Sequence, residues 1–286
     1  MGKLSQSLFI GTIASTFVSG AVLAADLSPP PVSYFEPVIE QKFGGNLYLR
    51  GFVGFTNQEV DEFDPSRLAA NPPARLEILH AEFESGGLVG GAVGYQFNQY
   101  FRADISAEYR MRTAFDGLDR FDISGDGTFD QTNDYSADKS EFVVLANAFV
   151  DLGQYEKISP YIGAGIGASY TTIHDLVDVN EVTTGVAFAD SNGEWDLAWA
   201  LYAGLGFEVN DHLTLDLGYR FLSIGDAESG DVDPFDGGSV VSPVLFNDIY
   251  SHDVTFGVRY AFNPFGGGLH SGFGDDDSYS YGQLSY

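Results

Sequence analysis

Oxygen-bearing side chains recur at short intervals in "DISGDGTFDQTN", residues 122–133. Asp122, Ser124, Asp126 and Asp130, with Gly127 at the turn, fall at positions compatible with a calcium loop, whose alternate oxygens wrap the ion. The last position, where such loops carry a bidentate Glu, is Asn133, and no flanking helices are evident. A second cluster worth naming is "SHD", residues 251–253. Nucleophilic catalysis would need the hydroxyl, imidazole and carboxylate to converge. Neighbouring strand positions point to opposite faces, so Ser251, His252 and Asp253 cannot converge within regular strand. His80 and His174 fall in connecting segments and His212 in a turn, where a solvated imidazole is the expectation. "GAGIG" (163–167) lacks the spacing and following helix of a nucleotide fingerprint, and no P-loop or zincin motif occurs. We therefore expect no enzyme, and no cofactor other than divalent cations at acidic segments.

Acid is concentrated in four stretches. Residues 56–84, 113–140, 171–196 and 223–250 hold 26 Asp and Glu, opposed by Arg67, Arg75, Arg120 and Lys139. They account for most of a formal net charge of -28, which argues against nucleic acid as a partner. A solvated, mutually repelling crown explains them, and divalent-cation binding is the sharper alternative. There is no cysteine, so disulfides and Cys-based metal sites are excluded.

The elements that must position these groups alternate strictly. In "FRADISAEYRMR" (101–112), Phe101, Ala103, Ile105, Ala107, Tyr109 and Met111 take turns with Arg102, Asp104, Ser106, Glu108, Arg110 and Arg112. Period two places one set on each face of a strand. Seven further segments share the pattern, at 46–55, 88–97, 141–152, 161–170, 197–209, 213–222 and 252–262. Each runs about ten residues or more, the length of a tilted membrane-spanning strand rather than of a typical soluble one. Short turns at 98–100, 153–160 and 210–212 alternate with the long acidic connections. That is the pattern of an all-β, eight-stranded antiparallel up-and-down transmembrane barrel, with both termini on the short-turn, periplasmic side.

One face is uncharged throughout the strand cores, for example Leu49, Val53, Ile105, Ile166, Leu205, Leu217, Phe256 and Val258. A Lys or Arg at the lipid midplane costs about 2–4 kcal/mol, so this face is expected against hydrocarbon. The other face carries Arg50, Arg102, Asp104, Glu108, Arg110, Arg112, Glu141, Asp151, Glu208, Asp216, Arg220, Asp253 and Arg259. Eight strands leave a lumen just wide enough to be filled by side chains, and this nearly balanced set is expected to pair inside it.

The termini divide off. Lys3, the apolar run "LFIGTIASTFVSGAVL" and "AADL" read as a secretory signal over residues 1–25, cut after Ala24 or Ala25; the run is short for a membrane anchor. A Pro-rich periplasmic leader follows at 26–43, then the barrel at 44–262, then a Gly-, Asp- and Tyr-rich tail at 263–286.

The strand set, above all "PYIGAGIGASY", "HLTLDLGYRFL" and "HDVTFGVRYAF", resembles the eight-stranded outer-membrane barrels of the OmpA-like and opacity-protein group, and the "AADL" plus proline leader resembles that of alphaproteobacterial surface antigens. The resemblance implies a bacterial outer-membrane location and a structural or surface role in envelope integrity or surface interaction. A narrow porin-like channel and a lipid A-modifying enzyme are the alternatives. It implies as partners outer-membrane lipid and lipopolysaccharide, the barrel-assembly machinery and an extracellular ligand or host surface, with the chain a monomer. Thr255, Gly257, Tyr260 and Phe262 resemble the last-strand signal that the assembly machinery reads, although 24 residues follow it here.

Overall fold

The computed structural model describes residues 46–66 and 73–262. The signal, the leader and the tail expected at 1–25, 26–43 and 263–286 lie outside the described residues. Eleven strands form one antiparallel sheet. They are β1 (Asn46–Asp64), β2 (Arg75–Phe83), β3 (Gly86–Gln96), β4 (Phe101–Asp122), β5 (Gln131–Asp151), β6 (Ile158–Asn180), β7 (Val186–Ala189), β8 (Asn192–Asn210), β9 (Leu213–Glu228), β10 (Val232–Pro234) and β11 (Leu245–Ala261). Eight of them close a ring in the order β1-β3-β4-β5-β6-β8-β9-β11, with β11 hydrogen-bonded back to β1. Closure leaves no exposed edge within the ring, the condition for a sheet to sit in lipid. Among the described residues no helix is long and apolar enough to cross a membrane, which says nothing of crossing by strands.

The strands outrun their expected ends. The alternation signal fades after about ten residues, yet β4, β5 and β6 hold 22, 21 and 23 residues. Ten residues at the usual tilt cover the roughly 25 Å hydrocarbon band. The remainder stands clear of it, so most of the four acidic connections are strand and not loop. β2 replaces β3 alongside β4 in this outer region, pairing Phe83 with Phe115 and Arg75 with Asp122. β7 and β10 extend the sheet from β6.

The outward belt is as uncharged as the sequence suggests: Val53, Ile105, Ile166, Leu201 and Phe256 are each more than half exposed. The inward face needs a correction. Arg112, expected inside, lies outside against Asp138, while Lys139 is inside and fully buried. The cause is a bulge: Arg110 opposes Glu141 and Thr113 opposes Lys139, leaving two residues of β4 against one of β5. An extra residue reverses the facing of everything beyond it. Glycines on the inner face accommodate rings from the next strand. A Cβ at Gly204 would sit 2.5 Å from the Tyr161 ring, so no side chain fits there while the ring occupies that space.

Candidate functional site in the lumen

The inward side chains form layers. Nearest the short-turn end are three cations and three carboxylates. Arg50 pairs with Asp104 at 3.2 Å, Arg102 with Asp151 at 3.2 Å, and Arg259 with Asp216 at 3.4 Å. Asp104 also accepts hydrogen bonds from the Tyr48 hydroxyl at 3.0 Å and the Asn147 side chain at 2.7 Å. Arg102 has more ring than acid around it, with its guanidinium 4.1 Å from the Phe149 centroid and 4.5 Å from that of Tyr161. Two of its nitrogens meet no hydrogen-bond acceptor, so the ring faces supply the compensation there.

The next layer is a second group of three and three, closed more tightly. Arg110 reaches Glu141 at 2.8 Å and Asp253 at 2.9 Å, and donates to the Ser251 hydroxyl at 2.8 Å and to Thr56. Arg220 grips both oxygens of Glu108, at 2.7 and 2.6 Å, and reaches Asp253 at 2.9 Å. Lys139 pairs with Glu141, donates to the side-chain oxygen of Gln58, and lies 4.1 Å from the Phe83 ring centroid. Each charge in this layer is thus opposed and hydrogen-bonded, as ions removed from water must be.

Above the charges the lumen turns apolar, which the sequence pattern does not disclose. Phe63, Phe83, Phe115, Tyr135 and Phe246 pack with ring centroids 4.9–5.8 Å apart. All are buried, with Leu176, Ile224, Val244 and Ile249 among their neighbours in the same core. The five aromatics come from the acidic connections, where the high charge hides them. Phe63, Phe83, Phe115 and Tyr135 sit inward because the alternation persists beyond the membrane.

The remaining candidates take other work. Ser251 and Asp253 face inward and His252 outward, where its Nδ1 lies 2.6 Å from the Tyr219 hydroxyl. In the 122–133 segment, Asp122 accepts hydrogen bonds from the amides of Gly125 at 2.6 Å and Gly127 at 2.7 Å and from the Ser124 hydroxyl. Asp130 accepts from the amides of Ile123 and Ser124, and Asp126 from Thr128. Gly125 and Gly127 have φ of 76° and 89°, so the tight β4–β5 turn needs glycine at both. The Asp122 carboxyl lies below the usual range: against the cost of desolvation stand those two amides and the serine hydroxyl. The carboxylates expected to ring an ion therefore cap a hairpin turn, and no three His, Asp or Glu converge as a metal site among the described residues. In β11, Thr255 and Gly257 lie on the inner side, whereas Tyr260 and, just past the strand, Phe262 project outward with ring centroids 5.0 Å apart.

Comparison with known proteins agrees with this architecture. A family model described as "Outer membrane protein beta-barrel domain" matches residues 14–262. An uncharacterised protein of Brucella abortus (strain 2308) is 30% identical over 274 residues, covering 86% of this chain and 94% of that protein. A candidate adhesin of Rickettsia bellii (strain RML369-C) is 28% identical over 265 residues, covering 90% of this chain and 99% of that one. Among solved structures, the outer membrane protein OprG of Pseudomonas aeruginosa is similar at 15% identity and a TM-score of 0.45, over 77% of this chain and 96% of that one. With the closed eight-stranded ring and its uncharged belt, the family match over residues 14–262 and the Brucella relative show that the chain belongs to the outer membrane protein beta-barrel domain family and resides in the bacterial outer membrane.

Proposed function

We propose that this barrel is a non-conducting, non-catalytic outer-membrane scaffold that presents an ordered acidic crown for surface interaction. The observation that carries this reading is the continuation of the sheet beyond the membrane around its own aromatic core. A pore would keep water through its length, whereas here paired charges and a ring cluster lie in series. A lipid-modifying enzyme would need a nucleophile and base together at the rim with a third group orienting the base. Ser251 and His252 face opposite ways, and where a hydroxyl and an imidazole do meet, Ser140 Oγ 2.9 Å from His174 Nε2, no carboxylate among the described residues bonds that imidazole. The Rickettsia relative's adhesin name favours surface interaction over a purely mechanical role in the envelope.

The partners follow from the surfaces. Lipid and lipopolysaccharide surround the uncharged belt, with divalent cations bridging their phosphates to the acidic crown. The assembly machinery reads the last strand at Thr255, Gly257, Tyr260 and Phe262, and the closed ring works as a monomer. No nucleic acid enters the reading. The test compares a deletion strain with its complemented parent for attachment to host-matrix-coated surfaces and for sensitivity to detergent and chelator. Attachment falls on deletion while sensitivity is unchanged. Unchanged attachment with raised sensitivity would assign the protein to envelope integrity instead.

A further inference from the structure

Above the aromatic plug the lumen opens into a cup of about 440 Å³, within the range of small-molecule sites. Its walls are mainly apolar, with Leu76, Phe121, Val186 and Phe235 contributed by β2, β4, β7 and the segment after β10. Five polar residues converge on one side of it: Asp119, Asn133, Tyr135, Asp178 and Asn180. Four of them satisfy one another. Asp119, which is 1% exposed, accepts from the Asn133 amide at 3.1 Å and from the Tyr135 hydroxyl at 2.9 Å. Asn133 donates to the Tyr135 oxygen at 2.9 Å and accepts from Asn180 at 2.8 Å.

Asp178 is the exception. Its Oδ1 is buried and meets no donor. No Lys or Arg lines the cup among the described residues, so Asp119, Asp178 and the exposed Asp236 face it with no counter-charge among those residues. Leaving such an acceptor unmet is costly, and what it lacks is a donor carrying positive charge. A metal ion is poorly served, because no three carboxylates or imidazoles converge closely enough to ligate one among the described residues and the walls are hydrocarbon. An anion is repelled.

We propose that the cup binds a small organic cation, a protonated amine with an apolar body, its ammonium on Asp178 in the field of the nearby Asp119 and its body against Leu76, Phe121, Val186 and Phe235. The acidic crown around the mouth raises the local concentration of such a cation. This goes beyond surface display and stands even if that reading fails, since it needs only the cup.

The test is titration calorimetry on the full chain in nanodiscs, at about pH 8 so that the amine is protonated and the carboxyls ionised. Phenethylamine, phenethyl alcohol and phenylacetate share one body and differ in charge. Phenethylamine binds saturably beyond the empty-nanodisc background, and the other two do not. Asp178→Asn weakens it by about tenfold or more, as loss of a buried charge partner does. Phe235→Ala, at an exposed position that folding does not need, weakens it several-fold. Glu194→Gln, on the outer face, leaves it unchanged. The proposal is overturned if the amine shows no saturable binding, if the alcohol binds equally well, or if the Asp178 and Phe235 variants bind as the parent does.

Discussion

Arg110 is the residue on which the inner layer depends. It touches three carboxylates, Glu108, Glu141 and Asp253, and two hydroxyls, and has no exposed side-chain surface. Replacing it by Met leaves Glu141 and Asp253 short of a counter-charge, and breaking a buried pair in this way costs about 3–5 kcal/mol. Urea unfolding of the refolded protein in vesicles should show that loss, and Arg110→Met combined with Glu141→Gln should recover part of it. A fully additive double variant would mean that the pair is not coupled. Asp178 gives a prediction of opposite sign. Burial, and then its neighbour Asp119, push its carboxyl up to about 7. The folded state therefore holds a proton that the unfolded chain has lost. Stability falls as pH rises from the ordinary carboxylate range to about 7, and is lowest above it. Asp119, itself raised by burial, acts in the same direction. Asp178→Asn should raise the temperature of gel-mobility conversion above neutral pH and leave it unchanged near pH 4, where both side chains are neutral. A gain that is equal at both pH values would show that ionisation is not the cause.

At the scale of elements, the ring strands were legible because lipid on one side and charge on the other enforce a strict period of two. Beyond the membrane that enforcement relaxes. Water replaces hydrocarbon outside, so polar residues appear on both faces, and β4 reads as ending near Arg112 although it runs to Asp122. The bulge after Arg110 was invisible for a related reason: it exchanges Arg112 for Lys139 inside while keeping the count of charges. The acidic turn at 122–130 is ambiguous in sequence for another reason, since ligand-like spacing and turn-capping spacing are alike; Asp and Asn side chains serve both. A distinguishing measurement exists. Asp122→Ala should speed hydrogen exchange at the Gly125 and Gly127 amides, which it now accepts from, without unfolding the ring. Added calcium should leave the protection of those amides in the parent unchanged. Calcium-dependent protection there would return the segment to ion binding.

For the whole molecule, the question is what two barriers in series imply. A lumen closed only by ion pairs could admit water and small ions whenever Arg110 or Arg220 exchanged partners. A lumen closed only by rings would depend on a single packed layer. On the non-conducting reading proposed above, an ion must pass both, and each would exclude it differently: the charges by occupying the cross-section, the rings by refusing hydration. The folded monomer should therefore give no unitary current steps in planar bilayers. Phe115→Ala with Phe246→Ala thins the ring layer and should still be silent, because the Arg110–Glu141–Asp253–Arg220–Glu108 network persists below it. Arg110→Ser with Asp253→Ser opens the charge layer and should be silent as well, held shut by the rings. Only the combination should conduct. Steps from the parent would refute closure, and steps from either pair alone would show that one layer carries the seal.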